Sequence, residues 1–280
     1  MNLSVVIITF NEEANIGRTL ASVQPLVADG KGEMIVVDSG STDRTVEIAK
    51  SFGAKVFVEE WKGFAAQKNS AIDKAIGNWI LSLDADEELD SELIEELTGH
   101  RDNRVRPRSG AHEWCLAMGG AGQAIIKGSP VGFLVRRKNY FLGRWIEHGG
   151  FWPDSKLRLF RGGTGRFEDR AVHEDIRVDG RTKAIPYGAL LHHSYPTLSD
   201  YIEHMNRYSA LGAEMVVAKG NGKVRFSLSN IVLRPLATFI YNYFLRLGFL
   251  DGREGLLLHL YHAVYVSWKY AKAWELSRSQ

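Results

Sequence analysis

Residues 4–10, Ser-Val-Val-Ile-Ile-Thr-Phe, form an apolar, β-branched run with no polar alternation. A strand with one wet face alternates; an unbroken run is covered on both faces, as in a parallel sheet. Met34–Val37, Lys55–Val58 and Trp79–Leu83 read as further strands. Between them, Asn11–Val23 carries Ile16, Leu20 and Val23 at helical spacing, and helices are also expected near Thr45–Phe52 and over Gly63–Ile76. The order β-α-β-α-β-α-β predicts an α/β fold with a doubly wound sheet. Such sheets bind ligands beyond the carboxyl ends of their strands. Glu12, Asp38, Asp84 and Asp86 all follow strand ends, so one cleft can hold them.

The strand at Trp79–Leu83 stops at Asp84-Ala85-Asp86. Two carboxylates two residues apart are hard oxygen donors. Mg²⁺ binds through one or two carboxylates plus substrate phosphates, which points to a metal–diphosphate site. The bland alternative is a solvated acidic loop.

The chain's 280 residues suit one large domain, or one domain plus an appendage. A formal net charge of +2 offers no argument for nucleic acid, and none is expected as a partner. The single cysteine, Cys115, excludes an intrachain disulfide framework and fits a reducing compartment. Leu3–Phe10 has no basic segment before it, so no signal peptide is expected. No segment reaches the roughly 18–20 uninterrupted apolar residues of a spanning helix.

Four stretches in order, SVVIITFNEEANI, IVVDSGSTDRT, GFAAQKNSAI and WILSLDADEEL, resemble the opening motifs of family 2 glycosyltransferases with the GT-A fold. Residues 137–153 (RKNYFLGRWIEHGGFWP), 156–160 (KLRLF), 170–174 (RAVHE), 190–195 (LLHHSY) and 248–255 (GFLDGREG) resemble a bacterial subgroup that includes lipopolysaccharide-core β-1,4-glucosyltransferases. The resemblance implies a Rossmann-like, doubly wound mixed sheet over 1–198, followed by a helical, aromatic-rich region over 199–280. Within the first part, 1–98 would bind the nucleotide sugar and 132–198 the acceptor. Residues 99–131 match poorly and read as a loop or insertion.

The resemblance also implies roles. Thr9, Asn11 and Glu12 lie where the family holds the nucleoside. Asp38 would contact uracil or ribose; its alternative is a helix cap. Asp43 reads as a cap. Lys68 and Asn69 fall at the position near the diphosphate, although Lys68 also reads as a solvated helix charge. Asp84, Ala85 and Asp86 form the DxD motif: Asp86 would bind Mg²⁺ or Mn²⁺, and Asp84 would touch metal or ribose. Glu88 is either a third ligand or a cap charge. His192 or His193 would complete the metal shell or be an ordinary histidine. An inverting transferase needs a carboxylate base for the acceptor hydroxyl. The candidates are Glu168, Asp169, Glu174 and Asp175; Glu174 is the choice by its place in V-H-E, with Asp175 as runner-up and His173 as an orienting residue.

The implied reaction moves a hexose, glucose in the first instance, from a UDP-sugar to a lipopolysaccharide-core or other envelope glycan or glycolipid. The rivals are a polyprenyl-phosphate sugar transferase and a non-catalytic nucleotide-sugar-binding protein. Arg136, Arg137, Lys138, Arg144 and Arg158, with Tyr140, Trp145 and Trp152, form a basic, aromatic region suited to an anionic acceptor. Aromatic and basic residues over 225–275 suit docking on an anionic membrane surface, a homodimer interface, or cover for the sheet. The expected location is the cytoplasm, peripherally on the inner face of the cell membrane.

Overall fold

The structure is a computed structural model and describes residues 3–99, 129–168, 175–220, 222 and 224–278. Most of the expected insertion, 100–128, lies outside the described residues, as do Asp169, His173 and Glu174. The described residues cluster into two compact units. One holds those up to Arg137 and Ser155–His192; the other holds Lys138–Asp154 and those from His193 onward.

The first unit is built on parallel strands β1 (Leu3–Thr9), β2 (Gly32–Asp38), β3 (Lys55–Val58) and β4 (Trp79–Asp84). β1 lies between β2 and β4, with Thr9 beside Asp38 and Ile8 beside Asp84. Three carboxyl ends therefore finish at one level. The sheet continues through β8 (Asp154–Arg161), β6 (Gly132–Phe141), β12 (Leu190–Tyr195) and β5 (Glu87–Leu89), in the order β3-β2-β1-β4-β8-β6-β12-β5. β8 runs antiparallel to β4, and β12 antiparallel to β5. The sheet is mixed.

Alternate strand residues enter different cores, the physical reason for the unbroken apolar runs. Val5 and Ile7 pack with Ile16, Leu20 and Val23 of α1 (Ile16–Val27) and with Leu93 and Leu97 of α4 (Ser91–Thr98). Val6, Ile35 and Val37 pack with Ala65, Ala71 and Ile72 of α3 (Phe64–Asp73). Between these helices in sequence lies α2 (Thr45–Ser51).

Two elements differ from the sequence expectation. The first helix starts at Ile16 instead of Asn11. Asn11 takes a left-handed φ of 54°, which asparagine tolerates, and the Glu12 carbonyl accepts from the Asn15 and Ile16 amides before the helix begins. The acidic stretch after the DxD is a strand, β5, paired with β12 at His192–Glu87. Such a short, late-paired strand carries no periodicity to read.

The second unit is mainly helical: α5 (Leu198–Lys219), α6 (Arg234–Ile240) and α7 (Gly252–Arg278). α5 opens with a capping box between Thr197 and Asp200. It packs on α7, where a Cβ on Gly212 would lie 2.8 Å from Cδ of the flexible Lys269 side chain. Phe141, Ile146, Tyr201 and Leu258 form a small core. Below it, Asp251 accepts from the amides of Glu147 (3.2 Å) and His148 (2.9 Å), with His148 Nδ1 at 2.9 Å. The two motif stretches 137–153 and 248–255 thus meet at one buried carboxylate. Among the described residues no helix is long and apolar enough to cross a membrane.

Candidate active site

The site lies at the carboxyl ends of β1, β2 and β4, within the first unit. Its centre is Asp84. One oxygen lies 2.7 Å from Lys68 Nζ and the other 2.6 Å from Arg158 Nη2. Arg158 Nη2 also reaches Glu87 Oε1 at 2.5 Å, and Arg137 Nη1 reaches the same oxygen at 3.1 Å. Glu87 is fully buried and its other oxygen accepts from the Asp84 amide at 3.1 Å. Burial opposes charge on Asp84, but Arg158 and then Lys68 outweigh it and hold its carboxyl well below the usual carboxylate range. Burial likewise works against the Arg158 guanidinium, and Asp84 and Glu87 raise it.

Asp86 faces another partner: its Oδ2 lies 3.3 Å from His192 Nε2. Burial pushes its carboxyl up, and His192 brings it below the ordinary value. Between the two aspartates, the Ala85 carbonyl accepts from Thr19 Oγ1 of α1 at 2.6 Å, which pins the DxD turn to the helix. Glu12 stands in the field of Asp86, Asp43 and Asp84. Burial first, and then these charges, raise its carboxyl despite the bond from Asn15.

The remaining sequence candidates hold loops together. Asp38 is fully buried; it accepts from Thr9 Oγ1 (2.9 Å), Ser41 Oγ (2.5 Å) and the amides of Gly40 (3.0 Å) and Ser41 (2.8 Å). That is an Asx-type turn after β2. Asn11 Oδ1 accepts from the Thr42 amide at 2.9 Å, and the Asn11 amide donates to Ser41 Oγ at 2.8 Å, tying the first two strand–helix turns together. Asp43 accepts from the Thr45 and Glu13 amides. Asn69 pairs both ways with the Phe167 backbone at 2.9 Å. Asp175 is exposed, and its carbonyl accepts from the Glu168 amide at 3.2 Å.

The expected basic face divides. Arg137 and Arg158 are engaged with Glu87 inside the first unit, where Arg136 donates to the Pro186 carbonyl at 2.8 Å. In the second unit, Lys138 lies over the Trp145 ring, which meets Trp152 edge-on. Glu87 and the role of Arg158 escaped the sequence reading. Arginine on an alternating strand 71 residues from its partner leaves no local signal.

Among the described residues no three His, Cys, Asp or Glu side chains converge as a closed protein cage. Mg²⁺ and Mn²⁺ at a diphosphate do not need one, because phosphate oxygens and water supply most ligands. The Asp86 carboxylate is a hard oxygen donor that suits Mg²⁺ or Mn²⁺, with the His192 imidazole 3.3 Å away. The residues fit such an ion.

Comparisons with known proteins give the family of the chain. The family model Glycosyl transferase family 2 matches residues 4–104. An uncharacterized glycosyltransferase of Rickettsia typhi, RT0209, is 30% identical over 98% of this chain and 87% of its own length. The lipopolysaccharide core biosynthesis glycosyltransferase LpsC of Rhizobium meliloti is 29% identical over 98% of this chain and 92% of its own. The mannosyltransferase PcManGT of Pyrobaculum calidifontis, solved with GDP-Man and Mn²⁺, is 15% identical over 99% of this chain and 73% of that one, with a TM-score of 0.48. The chain belongs to glycosyltransferase family 2. It is thus an enzyme of sugar transfer, and its mixed sheet is the GT-A architecture expected from the motifs.

Proposed function

We propose that the protein is an inverting hexosyltransferase that takes glucose from a UDP-sugar and adds it to a lipopolysaccharide-core or other envelope glycan. The observation that carries this reading is the pairing of Asp84 with Lys68 and Arg158 beside Asp86. A carboxylate flanked by two buried cations, next to a second carboxylate, is suited to a diphosphate that gains negative charge as it leaves. The full-length likeness to LpsC supports the acceptor class.

In this reading Thr9, Asn11, Glu12 and Asp38 border the nucleoside, and Lys68 and Asn69 the diphosphate. Asp86, with Asp84 and His192, would hold Mg²⁺ or Mn²⁺, which supplies Lewis-acid neutralisation of the leaving diphosphate. Arg158 fixes the Asp84 carboxylate from β8 and keeps it ionised. Glu174, or Asp175 beside it, takes the proton of the acceptor hydroxyl while that oxygen bonds to the anomeric carbon and the sugar–phosphate bond breaks. A lipid-linked acceptor would place the enzyme peripherally on the inner face of the cell membrane.

The test is release of UDP from a panel of UDP-sugars with a lipopolysaccharide-core acceptor. Wild type should turn over with Mn²⁺ and stop in excess chelator. Asp86→Ala should abolish turnover and leave the melting temperature near wild type. Full activity in Asp86→Ala would remove the DxD from the mechanism. Turnover with GDP- but not UDP-sugars would overturn the donor.

A further inference from the structure

We propose that the segment from Phe226 to Leu250, in the second unit, is an interfacial anchor whose bare face enters the headgroup layer of an anionic phospholipid bilayer. The inference gives a surface and a lipid chemistry to the peripheral placement proposed above, and in that respect rests on it. The segment is a helical rod in which α6 is flanked by π-type turns at Ser229–Leu233 and Tyr241–Leu245. One side is fastened to α7. Ser267 Oγ donates to the Ile231 carbonyl at 2.8 Å, Pro235 is buried, and the Arg234 guanidinium bonds the Tyr270 hydroxyl and covers its ring.

The other side has no cover among the described residues. Val232, Leu236, Ile240 and Phe244 recur every four residues and are each more than 40% exposed. Leu228, Leu233 and Leu245 exceed 60%. A contiguous apolar stripe of this kind marks an interaction surface. A helix that is apolar on one side, short, and interrupted by Arg234 and Pro235 lies in a membrane interface instead of crossing it.

Charge selects the occupant. From Met215 to Leu250 the sequence has no aspartate or glutamate; besides Arg234, which is turned to Tyr270, it has Lys219, Lys223, Arg225 and Arg246. An anionic bilayer gains from each basic residue near its surface. A two-fold contact with a second copy would set the same basic surface against itself, and like charges across an interface are costly. The stripe and the charge therefore agree on lipid.

The test is co-sedimentation of the full chain with vesicles of phosphatidylcholine alone or with phosphatidylglycerol. Binding should be about tenfold or more tighter on the anionic vesicles and should weaken as salt rises. The double change Leu233→Glu, Leu236→Glu should lower affinity by at least about tenfold on both vesicles at an unchanged melting temperature. Lys219→Glu with Arg225→Glu should remove the preference for anionic vesicles. Three results would overturn the proposal: no binding, binding indifferent to both pairs of changes, or a dimer in sedimentation that only the leucine changes dissolve. Calorimetry of UDP without vesicles separates the two readings. Normal UDP affinity without vesicle binding sinks the anchor alone; vesicle binding without UDP affinity sinks the donor reading alone.

Discussion

Arg158 Nη2 lies 2.6 Å from Asp84, so the first aspartate of the DxD is held by a guanidinium from the antiparallel strand β8. The same nitrogen holds Glu87, so the two acids share one buried cation, while Lys68 also pairs with Asp84 and Arg137 with Glu87. Breaking a buried pair leaves an uncompensated charge, which costs about 3–5 kcal/mol. Lys68 and Arg137 still face the two acids, so Arg158→Met should lower unfolding stability by at most about that much in urea titration. Adding Glu87→Gln should restore part of it, because the fully buried acid is then neutral. An unchanged midpoint in Arg158→Met would show that the pair does not hold the fold.

Asp38 accepts four hydrogen bonds in a closed turn. Asp38→Ala strands buried donors of Thr9 and Ser41 and should cost about 1–3 kcal/mol in thermal or urea unfolding. Calorimetry of UDP at a temperature where the variant is folded reads the proposed uridine contact separately. Unchanged UDP affinity with lost stability assigns Asp38 to the turn alone.

His259 is buried, and neither ring nitrogen has a hydrogen-bond partner among the described residues. Burial, then His262, pushes its imidazole down to about 4. The unfolded chain takes up the proton near pH 6.5 and the folded one only near 4. Stability is therefore complete above about pH 6.5 and falls as pH drops towards 4. At about 1.4 kcal/mol per pH unit the interval is worth on the order of 3 kcal/mol. Urea midpoints at pH 7.5 and 4.5 should differ by much less in His259→Leu than in wild type.

On the proposed mechanism, Glu174→Gln keeps size and removes basicity. It should lower kcat by about 10²–10⁴-fold with little change in KM for the donor. The same loss in Asp175→Asn, with Glu174→Gln active, moves the base by one residue. Full activity in both points to an acceptor phosphate, which needs no base.

The strand–helix alternation through residue 98 was legible because it is local. β-branched runs, helical spacing and acids at strand ends are all properties of neighbouring residues. The motifs likewise point to sugar transfer, because each is a run of neighbouring residues. Only the tertiary structure decided which groups face Asp84. Lys68 arrives from α3, and Arg158 from a strand running the other way. It also turned Glu87 into a buried member of the cluster by pairing β5 with β12, and it engaged both ends of the Asn69 amide with Phe167. Pairings across tens of residues depend on how the chain is threaded. Side-chain charge in a sequence says that a group can pair, whereas register and burial determine with what.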